Sequence, residues 1–132
     1  MPASRVEEIL HTYLHVQDGG KTQQVAVTEQ FWSDIAGGAK PELDQGRLMS
    51  AFSFSADWPS WERHPAGEEL VMLLSGSAVL LLEEANGERE LLLDMVGNYV
   101  LVPQGVWHTA RTTQHTTLLF LTPGAGTEHR LV

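Results

Sequence analysis

The chain has 132 residues and a mass of 14.6 kDa, which fits one domain and leaves no room for two ordinary ones. With 42% hydrophobic and 19% charged residues the composition is that of a folded globular protein, which excludes disorder over most of its length. Eight basic against seventeen acidic residues give a net charge of -9, so neither nucleic acid nor a membrane surface is expected as a partner, and the absence of cysteine excludes disulfides, thiolate metal sites and cysteine nucleophiles.

The first ten residues carry acidic side chains where a secretory signal needs a basic and then an apolar stretch, and no apolar run approaches membrane-spanning length. A cytoplasmic protein is the expectation. Ser4 and Glu7 have capping-box spacing, and Val6, Ile9, Leu10, Tyr13 and Leu14 fall at helical intervals, which predicts an amino-terminal helix. His11 and His15 would project away from that stripe onto a solvated face. Asp18-Gly19-Gly20 ends this segment, and Val25-Ala26-Val27 suggests a strand. A second helical turn is expected over Thr28 to Ile35, with Thr28 as its cap and Phe31, Trp32 and Ile35 on one face, before Gly37-Gly38 stops it.

From Leu48 onward short strands alternate with turn residues, a pattern of an all-β sandwich or barrel. The expected strands are Met49 to Ser55, Glu69 to Leu74, Ala78 to Glu83, Arg89 to Leu93, Asn98 to Val102, Val106 to Thr112 and Thr116 to Leu121. Asn86-Gly87 favours a type I′ hairpin turn. The chain thus divides into a helical amino-terminal arm with a lead-in strand, residues 1–47, and a β-barrel, residues 48–132. Strands such as Leu70 to Leu74 and Leu91 to Leu93 are apolar on both faces, so their outer faces need cover from the arm or from a second subunit, and a homodimer is expected.

Two stretches carry chemistry. One reads Glu62-Arg63-His64-Pro65-Ala66-Gly67-Glu68-Glu69, then six residues, then Gly76; the other reads Gly97, five residues, Pro103, one residue, Gly105, two residues, His108. Together they resemble the two motifs of the cupin superfamily, of the small single-domain conserved-barrel type. His64 falls on the second histidine of the first motif, Glu69 on its glutamate, and His108 on the histidine of the second; Glu62 stands where the first histidine is expected, and Thr112 where the final asparagine is expected. The resemblance implies a double-stranded β-helix, a jelly-roll barrel. It licenses no particular reaction, because the family includes dioxygenases, isomerases, decarboxylases, storage proteins and sensory domains.

Independently of that resemblance, strand residues two apart share a face, so Glu62 and His64 can enter one cavity, and the glycine-proline turns can bring His108 opposite them. With Glu69 these make four convergent donors for a metal ion. Two imidazoles and two carboxylates suit a divalent Mn, Fe, Ni or Zn ion. Glu68, the neighbour of Glu69, must face the other way. Glu62 could instead pair with Arg63 or Arg111 in solvent, and without a metal the repulsion between Glu62 and Glu69 would favour keeping one of them protonated. Trp58, Trp61 and Trp107 serve either as packing or as the walls of a small-molecule pocket, and the tail from Gly124 to Arg130 is expected to be solvated or to contact a subunit. The functional expectation is a metal-binding protein that binds or acts on a small polar or carboxylated metabolite; as an enzyme it would be a metal-dependent dioxygenase or isomerase. The alternatives are a non-catalytic ligand- or metal-sensing domain and a metal-free structural barrel.

Overall fold

The computed structural model describes residues 4–132. Alternation of buried and accessible side chains organises them into two antiparallel sheets. The six-stranded sheet runs β2 (Thr22–Ala26), β1 (Thr12–Val16), β3 (Arg47–Phe54), β10 (Thr116–Pro123), β5 (Glu69–Ser75), β8 (Tyr99–Val102). The five-stranded sheet runs β11 (Glu128–Leu131), β4 (Ser60–Arg63), β9 (His108–Arg111), β6 (Ala78–Glu84), β7 (Gly87–Leu93). Strand β10 lies between β3 and β5, and β9 between β4 and β6, so strands distant in sequence interleave as in a jelly roll.

Period-two patterning places the core between the sheets. In β5 Val71 and Leu73 point inward, as do Leu118 and Phe120 of β10 and Val102 of β8; Leu80 and Leu82 of β6 and Ala110 of β9 face them from the other sheet. Sequence patterning thus locates all seven of the strands expected after Leu48, with shifted ends. A smaller core of Tyr13, Phe31, Leu43 and Leu48 lies under the helical part of the arm, which consists of α1 (Phe31–Ala36) and a 3-10 helix at Pro41–Asp44. No helix among the described residues is long and apolar enough to cross a membrane.

The helix expected from Ser4 to Leu14 is not formed. Residues 4–8 have no regular structure, Val6 is 98% exposed, and Glu7 accepts from Arg5 rather than closing a capping box with Ser4. The pattern that prevails is the alternation in Thr12–Val16, where Tyr13 and His15 are buried and β3 and β2 supply hydrogen-bonding partners on both sides. His15 is therefore not on a solvated face: its Nε2–H donates to the carbonyl of Gln45 at 2.6 Å. The second helical turn is present, with Phe31 buried, but Thr28 contributes only its carbonyl, to the Phe31 N–H. The β6–β7 turn also differs from expectation. Glu84 pairs with Gly87, so Ala85-Asn86 forms the turn, and neither of these two residues has positive φ, which excludes type I′.

Besides β1, two strands escape the sequence pattern. In β4 the usual polarity is inverted, with Glu62 inside and Arg63 outside, and β11 is exposed throughout with no apolar period.

Gly76 and Gly87 both adopt positive φ, but a Cβ on Gly76 would press into His115 and Thr116 whereas one on Gly87 would meet nothing. Gly87→Ala should therefore cost about 1 kcal/mol of strain, and Gly76→Ala at least about 2 kcal/mol, as compared by urea unfolding. Equal losses would contradict the packing described around Gly76.

Candidate metal centre

Four short elements bring the charged side chains together. Glu62 projects inward from β4 and His64 follows at its end; Glu69 opens β5 and His108 opens β9. Glu62 and His108 are register partners across β4 and β9. The turn before β9 is tied to the loop after β4, since the Gly105 N–H donates to the His64 carbonyl at 3.1 Å and Gln104 Nε2 donates to the Pro65 carbonyl at 2.6 Å. Gly105 has a φ of 73°, a conformation that favours glycine there. All four residues singled out in the sequence thus meet, each offering one donor atom within 4.8 Å of the others.

Glu69 is 2% exposed, His108 0% and His64 5%, so this charge cluster lies inside the barrel. His64 Nε2 approaches Glu69 Oε2 at 3.0 Å, and His108 Nε2 approaches Glu69 Oε1 at 2.9 Å. Glu62 Oε1 stands farther off, at 3.6 Å and 3.4 Å from the two rings. These contacts are close enough for ion pairing, yet His64 Nε2, His108 Nε2 and Glu69 Oε1 have no hydrogen-bond partner although they are buried. The opposite edge of each group is satisfied. His108 Nδ1–H donates to the Val106 carbonyl at 3.1 Å, His64 Nδ1 bonds Thr127 Oγ1 at 2.8 Å, and Thr122 Oγ1 donates to Glu69 Oε2 at 2.6 Å. Hydrogen bonds from outside therefore aim the unsatisfied atoms at one point, as metal ligands require.

Charge accounts for the titration of the cluster. Burial pushes His64 and His108 down, but contacts with Glu62 and Glu69 outweigh it and raise them to about 9 and about 10. Burial likewise raises Glu62 and Glu69, but the surrounding imidazoles hold Glu62 well below, and Glu69 below, the usual carboxylate range. The expectation that one glutamate would keep a proton is therefore corrected: the imidazoles take up the protons, and both carboxylates stay charged. Glu62 does not pair with arginine either, since Arg63 binds Glu128 at 2.9 Å.

The tail is neither free nor featureless. As β11 it pairs with β4, and His129, in register with Glu62, places Nε2 3.5 Å from Glu62 Oε2. Burial opposes protonation of His129 less strongly than Glu62 favours it, so its pKa is raised. On the opposite face Arg130 packs over Trp61 and Trp107, clamping β11 to the sheet, while Arg63 of β4 also packs over Trp107. Trp61 and Trp107 thus serve as packing, whereas Trp58 lines a cavity that opens onto Glu62, His64 and Glu69, with His108 buried behind them. Only strand pairing reveals His129 as part of the site. That cavity, of about 710 Å³, is walled largely by apolar side chains and includes Trp32, Lys40, Leu43, Phe120 and His129.

No family model and no curated protein matches the chain. Solved structures do. A cupin-2 domain containing protein from Shewanella frigidimarina superposes with a TM-score of 0.50 at 14% identity, covering 58% of this chain and 70% of that one. A structure described under DMSP lyases RdDddP and RnDddQII gives a TM-score of 0.52 at 25% identity, covering 67% of this chain; the chain spans only 45% of that protein. Vicilin from Solanum lycopersicum gives 0.51 at 15% identity, covering 70% of this chain and 26% of its own. The chain therefore has a cupin-type fold.

Metal-free protein should show a specific pH dependence. His64 and His108 bind protons more tightly folded than unfolded, so their contribution is complete below about pH 6.5 and is lost as pH rises through about 9 to 10. Glu62 and Glu69 contribute above about pH 4.5 and lose that contribution as pH falls. Chelator-treated protein unfolded by urea should be most stable near pH 5.5 and weaker near pH 9.5. A rise between those two points would contradict the ion-paired cluster.

Proposed function

We propose that this cupin-fold chain binds a divalent first-row metal ion through Glu62, His64, Glu69 and His108 and holds a small polar or carboxylated metabolite beside it. The observation that supports this best is the convergence of the buried atoms His64 Nε2, His108 Nε2 and Glu69 Oε1, which touch as ion pairs but make no well-formed hydrogen bond. A nitrogen-oxygen donor set of this kind fits Mn, Fe, Ni or Zn. When bound, such an ion would supply Lewis acidity toward a carbonyl or hydroxyl of the metabolite. The chain's own groups do the rest: Val106, Thr122 and Thr127 fix the ring and carboxylate orientations, His129 holds the outer oxygen of Glu62, and Trp58 and Phe120 keep water from one wall. The likeness to the DMSP lyase structure at 25% identity supports a small-molecule ligand in the barrel.

A second reading has its own observation. Two imidazolium and two carboxylate groups balance without any ion, so the cluster could close on itself as a structural salt-bridge core. Glu68 and Glu69 separate the two readings. Glu68 is exposed and Glu69 is buried beside both rings, yet the charge change in Glu68→Gln and Glu69→Gln is identical. Zinc titrated into chelator-stripped protein should bind Glu68→Gln within about twofold of the parent and Glu69→Gln at least about 100-fold more weakly. Equal affinities, or no uptake by the parent, would reject the metal reading.

We further propose that the chain is a homodimer joined through the outer face of the six-stranded sheet. Strand register aligns Leu14, Met49, Leu121, Leu70 and Leu101 in one row across that face and Ala51, Leu119, Met72 and Tyr99 in the next, with no charge in either. Tyr99 and Leu101 are 59% and 55% exposed. A second copy would cover this face symmetrically, consistent with patches of this kind. Sedimentation at about micromolar concentration should give twice the chain mass, and Leu101→Lys should give the monomer. A monomeric parent would overturn the proposal.

A further inference from the structure

The cavity that opens onto Glu62, His64 and Glu69 holds a single lysine or arginine side chain, Lys40, between α1 and the 3-10 helix. Its ammonium lies 5.7 Å from the centroid of the buried Phe31 ring. Ion pairs among the described residues engage Arg5, Arg63, Arg89 and Arg130 but leave Lys40 without a carboxylate. Asp44 shares the rim, but it is exposed and makes no ion pair with Lys40.

The charge of the centre gives this lysine its meaning. With neutral imidazoles, a divalent ion and the carboxylates of Glu62 and Glu69 sum to zero, and His129 on the rim is engaged by Glu62 at 3.5 Å, so the four ligands and their ion offer an anion no net attraction. The chain as a whole, at -9, repels one. An unpaired ammonium on a largely apolar wall is then the local charge that makes entry of an anion favourable, and the low polarity around it strengthens the pairing. Its single charge matches a carboxylate; a phosphate dianion would leave an uncompensated charge in an already acidic protein.

We propose that Lys40 anchors the carboxylate of the cavity's ligand, so that the site selects small carboxylic acids whose other end reaches the metal through a neutral or chelating oxygen. The proposal rests on the metal reading above and adds to it the substrate class and the residue that sets it. Leu43, Leu48, Trp58 and Phe120 leave an apolar lining for the body of such a molecule.

Hydroxamates, which anchor on zinc, test this with defined probes. Zinc-loaded protein is titrated with hydroxamates bearing a terminal carboxylate on chains of roughly two to six methylenes, the reach of a cavity of this size, with the matching terminal amides, and with acetohydroxamate. At one or two chain lengths the carboxylate should bind about tenfold more tightly than its amide, relative to acetohydroxamate. The preference should persist in Lys40→Arg and vanish in Lys40→Met, which keeps the apolar stem. Zinc uptake and acetohydroxamate binding with no carboxylate preference, or a preference that survives in Lys40→Met, overturns the role of Lys40 alone. Failure to take up zinc overturns the metal reading and this inference together.

Discussion

Four ionisable side chains facing one another inside the barrel are the constraint on which this structure turns. A lone buried carboxylate or imidazolium costs on the order of several kcal/mol, so none of Glu62, His64, Glu69 and His108 can occupy the interior alone. They are tolerable only as a mutually neutralising set or as the ligands of an ion. Either way their relative positions must be held closely, and they come from β4, the loop behind it, β5 and β9, segments spread over residues 62–108. The interleaved strand order brings those segments together, and the contacts of Gly105 with His64 and of Gln104 with Pro65 lock the two motif-bearing loops in place.

Polar groups behind the cluster complete its orientation. Were His108 free to rotate, its unpartnered nitrogen could seek another acceptor; the Val106 carbonyl fixes the ring by taking the proton on Nδ1. Thr122 does the same for one oxygen of Glu69, leaving the other to face His108. The carboxyl-terminal strand extends this logic to the rim. Thr127 holds His64 while His129 sits against Glu62, and Arg130, stacked on Trp61 and Trp107, keeps that strand in register from the outside. A segment of low hydrophobicity is thereby made part of the site through electrostatics and stacking rather than burial.

Seven of the barrel strands and the four inward-facing residues are legible in the sequence because both depend on local spacing: period-two alternation, turn glycines, and two motifs in which fixed intervals carry the ligand types. The parts that were not legible depend on partners distant in sequence. Tyr13 and His15 lie in a segment whose apolar spacing also satisfies a helix, and only pairing with β2 and with the distant β3 decides for a strand. At β4 an inward Glu62 reverses the hydrophobic pattern, so the strand hides at the place where the site is built. His129 carries no motif of its own, and its role follows from pairing across β4 and β11. The titration of the glutamates was misread for a related reason: repulsion between the two carboxylates is visible from their proximity alone, whereas the imidazoles that reverse it count only once all four are placed.

Metal ligation through both imidazoles requires that they give up the protons that the cluster holds on them at neutral pH. The most direct measurement is therefore the number of protons released per ion, obtained by calorimetric titration of zinc into chelator-stripped protein near pH 7 in buffers of differing ionisation enthalpy. With His64 and His108 raised to about 9 and about 10, release of two protons per zinc ion is the expected result. Binding without proton release, or no binding at all, would contradict the account and leave the four side chains as a closed salt-bridge core.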